Sequence, residues 1–194
     1  MPDRTCFASI DVEHPIDNLN QILDILNKNS IKATLFVTGK VLEQYPDLLN
    51  NLQGSYEIAC HSFTHRFWNT LDREERKKEL DDFIVLFQRI FGKTPIGFRA
   101  PSHIIDKEGL GLLEEKGFSY DSSIVPHYPP FKKYRGYKRR APLLPYYPEE
   151  RKILEIPVRG QIFGIPLAGA WITKLPSIFY KLLFFLYCPR FITL

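Results

Sequence analysis

The chain has 194 residues, 44% apolar and 25% charged, with 26 Lys and Arg against 22 Asp and Glu for a net charge of +4. These are ordinary values for a soluble globular domain, and they exclude disordered, collagen-like and disulfide-scaffold classes. The small basic excess does not call for a nucleic-acid partner, and the scattered Cys6, Cys60 and Cys188 form no CxxC pair, so Cys6 and Cys60 are expected to be small core residues.

Residues 4–12 read as a buried strand, and Pro15 suits the first position of a helix with Ile16, Leu19, Ile22, Leu23 and Leu26 on one face. Ala33–Val37 predicts a second strand ended by Gly39, followed by a helix over 40–52. Residues 56–60 read as a third strand that runs directly into His61. The clearest helix starts at Asp72, with Glu75 completing a capping-box pattern, and stops at Gly92. Its apolar stripe is Leu80, Phe83, Ile84, Phe87, Ile90 and Phe91, and its charged face reads as solvated surface. A fourth strand is expected over 96–99, a helix over 107–116, a fifth strand over 118–120 and a sixth over 153–158. The tail predicts a helix over 176–187 and a strand over 191–194.

This alternation predicts an α/β fold: one domain over 1–194, a distorted (β/α) barrel of about seven mostly parallel strands with helices outside. In such barrels the chemistry gathers at the C-terminal ends of the strands. One stretch breaks the rhythm. Residues 126–150 are rich in proline and interleave Lys132, Lys133, Arg135, Lys138, Arg139 and Arg140 with tyrosines. This insertion suits an anionic glycan, a phosphate, peripheral contact with an anionic membrane surface or stacking on nucleic-acid bases; the plainer reading is a solvated loop. Lys181, Pro189 and Arg190 interrupt the apolar tail, so no transmembrane span is expected there. Asp11 and Glu13 follow the first apolar run too closely for a signal peptide, which predicts a cytoplasmic location.

Four strand ends carry polar clusters: Asp11 with Glu13, His61 with His65, Arg99 with Pro101 and Ser102, and Asp121 with Ser122 and Ser123. Residues two apart on a strand point the same way, so Asp11 and Glu13 enter one pocket. There, one carboxylate can hold a metal while the other takes a proton from water. His61 and His65 share a face if they lie on a helical turn. Two histidines and one carboxylate leave open positions for water and substrate, as hydrolytic zinc sites require. Arg99 is the natural partner that keeps Asp11 ionised and oriented. The plainer readings are a helix cap at Asp11, two surface histidines and an ordinary ion pair at Arg99. His103 stands close enough to Arg99 to enter the pocket or to stay in solvent, while His14 and His127 carry no pattern.

Together these residues resemble the polysaccharide deacetylase family of carbohydrate esterases. His61-Ser62-Phe63-Thr64-His65 matches its His-(Ser/Thr)-x-x-His motif, and Arg99-Ala100-Pro101 matches its Arg-x-Pro motif. Ser9-Ile10-Asp11-Val12-Glu13 is similar to its paired-acid motif, and Asp121-Ser122-Ser123 to its fourth. The resemblance implies removal of N-acetyl groups from an amino-sugar polysaccharide or lipid-linked glycan. It makes Asp11 the catalytic base with Arg99 beside it. Glu13, His61 and His65 become ligands of one divalent metal, Zn2+ by preference, and Pro101, Ser102, His103 and Asp121 face the substrate.

Two departures keep other readings open. Glu13 stands where the family has an aspartate at a different spacing, and allantoinase-like relatives work without metal, so metal-independent hydrolysis of a small cyclic amide is an alternative. The family's last motif supplies a histidine general acid, and no histidine follows His127. That motif is therefore expected beyond the last residue, with His103 a substitute candidate. A catalytically weak glycan-binding domain is the third reading.

Overall fold

The computed structural model describes residues 7–13, 16–126, 141–158, 161–162, 165–166, 176, 178 and 191–193. Seven strands make one sheet: β1 (Phe7–Val12), β2 (Ala33–Val37), β3 (Glu57–Cys60), β4 (Gly97–Phe98), β5 (Tyr120–Asp121), β6 (Leu154–Glu155) and, after a two-stranded hairpin of β7 (Gln161–Ile162) and β8 (Ile165–Pro166), β9 (Phe191–Thr193). The order is β6-β5-β4-β3-β2-β1-β9, and every pairing in it is parallel. Parallel neighbours need crossovers, which helices supply. This is the predicted distorted (β/α) barrel. Among the described residues, no pairing joins β6 to β9.

β2 shows why the sheet reads as a continuous apolar run. Leu35, Phe36 and Val37 are all at most 1% exposed, because a central parallel strand is covered on both faces. The helices are α1 (Leu19–Lys28), α2 (Gly39–Gln44), α3 (Pro46–Leu52), α4 (Arg73–Phe91) and α5 (Lys107–Glu115). The single helix expected over 40–52 is two. Pro46 has no N–H to continue the first, and Tyr45 leaves helical geometry at φ −129°, ψ 49°. The strand expected over 153–158 pairs only at Leu154–Glu155.

α4 has both halves of its capping box. Glu75 N donates to Asp72 Oδ1 at 2.8 Å and Asp72 N donates to Glu75 Oε2 at 3.0 Å, while Gly92 ends the helix in the left-handed region at φ 66°. Its charged face is not wholly solvated, because Arg76 and Glu79 are buried with Leu80, Phe83, Leu86 and Phe87. Arg76 holds the chain before α4 by donating from Nε to the carbonyls of Trp68 and Leu71. Cys60 is a buried free thiol, as expected. Pro15, Cys6, Cys188, most of the range 176–187 expected to be helical and the basic stretch 127–140 lie outside the described residues. Among the described residues, no helix is long and apolar enough to cross a membrane.

Candidate metal centre and active site

The ends of β1, β3 and β4 converge. Asp11 lies on β1 and Glu13 just past it; His61 follows β3 directly, and Arg99 follows β4. The Glu13, His61 and His65 ligand atoms lie within 4.8 Å of one another. Glu13 Oε1 stands 3.4 Å from His61 Nε2 and 3.0 Å from His65 Nε2. Both Nε2 atoms are buried and neither makes a hydrogen bond. His61, then His65, holds the Glu13 carboxyl far below the usual carboxylate range. Buried lone pairs aimed at a carboxylate are costly unless a cation joins them. The donor set of two imidazoles and one carboxylate therefore fits a divalent ion with open positions.

The tautomer of His61 follows from geometry. His61 Nδ1 lies 2.8 Å from the carbonyl oxygen of Arg99. A carbonyl only accepts, so Nδ1 carries the proton and Nε2 presents its lone pair.

The histidines do not sit on a helical turn. They belong to an irregular loop in which Ser62 and His65 both adopt φ 63°, and this brings their ring centroids to 5.1 Å. Two sides grip the loop. The first amides of α2 reach it, with Gly39 N donating to Ser62 O at 3.0 Å and Lys40 N to Phe63 O at 3.1 Å. From α4, Glu79 Oε2 accepts from Ser62 Oγ at 2.8 Å, Phe63 N at 2.8 Å and Thr64 N at 2.7 Å, and its Oε1 accepts from Thr64 Oγ1 at 2.5 Å. Burial raises the Glu79 carboxyl, but these donors, Thr64 first, bring it below its ordinary value. Position 39 must be glycine, since a Cβ there would stand 2.1 Å from the Phe63 ring.

Arg99 is 1% exposed and makes several contacts at once. Nη1 donates to Asp11 Oδ1 at 2.7 Å, Nη2 to Ser9 Oγ and Ser122 Oγ at 2.9 Å each, and Nε to Ser122 O at 2.9 Å. Its guanidinium carbon lies 4.0 Å from the centroid of the Phe36 ring. Burial pushes the Asp11 carboxyl up, but Arg99, followed by His61 and His103, outweighs it, and the net effect is below the usual value. Asp11 is therefore an ionised carboxylate of fixed orientation. It caps no helix, since Asn18 precedes α1.

Pro101 is buried behind the site, while Ser102 and His103 are half-buried. Ser102 and His103 both take left-handed backbone, at φ 55° and 58°, which turns the His103 ring toward Asp11 with Nε2 3.9 Å from Oδ2. Burial lowers the His103 imidazole to about 4, so it is neutral near pH 7. Asp121, expected to face the substrate, is 0% exposed; its Oδ1 accepts from Ser123 Oγ at 2.6 Å. It lies behind Arg99 and away from any surface a ligand can touch.

Sequence reasoning missed Glu79. The signal was its place on α4, one residue before Leu80 and four before Phe83, on the buried side of the helix.

A family model for polysaccharide deacetylase matches residues 4–120, more than half of the chain. The chain belongs to the polysaccharide deacetylase family. Among its relatives, the peptidoglycan deacetylase-like protein FGM2 of Gibberella zeae is 37% identical over 112 residues, 56% of this chain and 33% of that one. The peptidoglycan-N-acetylmuramic acid deacetylase PdaC of Bacillus subtilis is 34% identical over 90 residues, 46% of this chain and 19% of that one. This deacetylase-family chain thus spans about a third or less of the length of these curated relatives. Among solved structures, the PdaC structure superposes at TM-score 0.53 with 28% identity over 60% of this chain and 57% of that one. A Mycobacterium smegmatis protein assigned to the same family superposes at TM-score 0.63 with 22% identity, covering 82% of this chain and 61% of that one, and shares the fold.

Proposed function

We propose that this deacetylase-family chain hydrolyses the acetamide of an N-acetylated amino sugar in a glycan, with one divalent metal, Zn2+ by preference, held by Glu13, His61 and His65. The observation that carries the reading is the meeting of Glu13 Oε1 with two buried imidazole nitrogens that make no hydrogen bond, His61 Nε2 and His65 Nε2, beside an ionised carboxylate pinned by Arg99. That arrangement favours the metal-dependent reading over a metal-free amidase. The names of the relatives, which specify peptidoglycan or chitin deacetylases, support an N-acetylated glycan as substrate class.

A divalent ion at this site supplies Lewis-acid polarisation of the acetamide carbonyl and acidifies a water. The chain does the rest. Asp11 Oδ1 is tied to Arg99, so Oδ2, the oxygen toward His103, accepts the proton as water attacks the carbonyl carbon. The C–N bond then breaks, giving acetate and a free amine that takes up one proton. Neutral His103, 3.9 Å from Asp11 Oδ2, lines the path of that proton.

The test is acetate release from chitin oligosaccharides and from peptidoglycan fragments, measured on zinc-loaded protein before and after chelation. Release that is lost with the metal and restored by zinc supports the reading. Release that survives complete chelation overturns the metal assignment, and binding of either glycan without acetate release overturns the hydrolase assignment.

A further inference from the structure

A second pair of carboxyls lies behind the site. Asp121 on β5 and Glu155 on β6 are register partners on adjacent parallel strands, and both are 0% exposed. Both carboxyls are buried on paired strands, so a proton on one of them would let it donate to the other. Glu155 Oε1 accepts from Ile124 N at 3.0 Å, whereas Oε2 is buried and receives no protein donor. A proton on Oε2 satisfies that atom and lets it donate to Asp121. Two buried carboxylates side by side cannot both ionise, and burial pushes both upward, Glu155 well above its ordinary value. The cation that acts on both is Arg99, already matched to Asp11, so a second full negative charge here would surround one guanidinium with three carboxylates.

The pair is tied to the site through the three residues after β5. Asp121 Oδ1 accepts from Ser123 Oγ at 2.6 Å, and Ser123 Oγ accepts from Ala100 N, the residue after Arg99, at 2.8 Å. Glu155 holds Ile124. Immediately before these two anchored residues stands Ser122, whose carbonyl and hydroxyl oxygens take the Nε and Nη2 donors of Arg99.

We propose that Asp121 and Glu155, joined by one shared proton, are positioning residues: they fix the 122–124 segment that orients Arg99, and Arg99 orients Asp11. This rests on the reading of Asp11 as the proton acceptor. Neither residue touches the substrate. The effect travels through one turn of backbone and one guanidinium.

The experiment uses the full chain with Glu155→Gln, whose amide can donate as the acid does, and Glu155→Met, which matches its length but cannot donate. Three quantities are read: the carbon-13 carboxyl titration of Asp121 and Glu155 in the wild type, the Arg99 Nε–H resonance in each variant, and kcat, KM and zinc content. One carboxyl of the pair is expected to keep its proton at pH 7. Glu155→Met is expected to move the Arg99 resonance and to lower kcat by about tenfold or more while KM and zinc content hold, as for groups that orient a site from behind. Glu155→Gln is expected to restore both. Full ionisation of both carboxyls below pH 6, or a folded Met variant with the wild-type Arg99 resonance and kcat, overturns the proposal. If the Met variant does not fold, the wild-type titration decides. If the wild type releases no acetate, the proposed function fails, while the titration and the Arg99 resonance still judge the pair.

Discussion

Arg99 holds Asp11 with its side chain and His61 with its backbone. Nη1 donates to Asp11 Oδ1 at 2.7 Å, and the carbonyl oxygen accepts from His61 Nδ1 at 2.8 Å. One residue therefore fixes both the proposed proton acceptor and the lone-pair direction of a candidate metal ligand, and its two roles are separable by mutation.

Arg99→Lys keeps the carbonyl but loses the fork. A lysine ammonium cannot serve Asp11, Ser9 and Ser122 together. The expected outcome is a fall in kcat on the order of 10²-fold, with zinc content unchanged because His61 keeps its carbonyl acceptor. Steady-state kinetics beside elemental analysis checks this, and loss of zinc in the variant would contradict the separation.

Asp11 and Glu13 divide in the same way. Asp11→Asn should lose roughly 10²–10⁴-fold in rate and retain the metal. Glu13→Gln and His65→Ala should lose the metal itself. Zinc per chain after desalting separates the two classes, and retention by Glu13→Gln would remove Glu13 from the ligand set.

Glu79 is predicted to matter for stability and for its pH dependence. Glu79→Leu strands the Phe63 and Thr64 amides and should cost about 3 kcal/mol in urea unfolding. The folded carboxyl titrates below its ordinary 4.5. Its contribution is therefore present above pH 4.5 and is lost as pH falls through the lower folded value. Glu79→Gln should flatten the acid limb of the stability curve, and an unchanged limb would refute the role.

His103 gives the complementary slope. Its imidazole lies at about 4 when folded against an ordinary 6.5. The unfolded chain takes up the proton first, so stability falls as pH drops from 6.5 toward 4. In metal-free protein, His103→Gln should lose that slope. Thermal midpoints across this window test it.

Much of the candidate site was legible because its side chains sit at or just after strand ends, where sequence marks both the strand and the break. Asp11, Glu13, His61, His65 and Arg99 were all found this way. The helical-turn reading of His61 and His65 failed, because spacing alone cannot report the left-handed backbone at Ser62 and His65. Glu79 was hidden among the charges of α4, since its partners are mostly backbone amides that carry no sequence signal. Asp121 was legible as a polar residue at a strand end, but not as one turned inward against Glu155. That contact depends on the register of β5 and β6, 34 residues apart in the chain (155 − 121). The break between α2 and α3 was announced by Pro46 and read through.

The loop from His61 to His65 has its carbonyls met by the start of α2 and its amides by Glu79. Its shape belongs to the polypeptide and not to any guest. Small zinc modules collapse when stripped, because the ion is what folds them. Here an ion would enter a finished socket, so emptying and refilling it should be a reversible exchange that leaves the melting of the barrel cooperative.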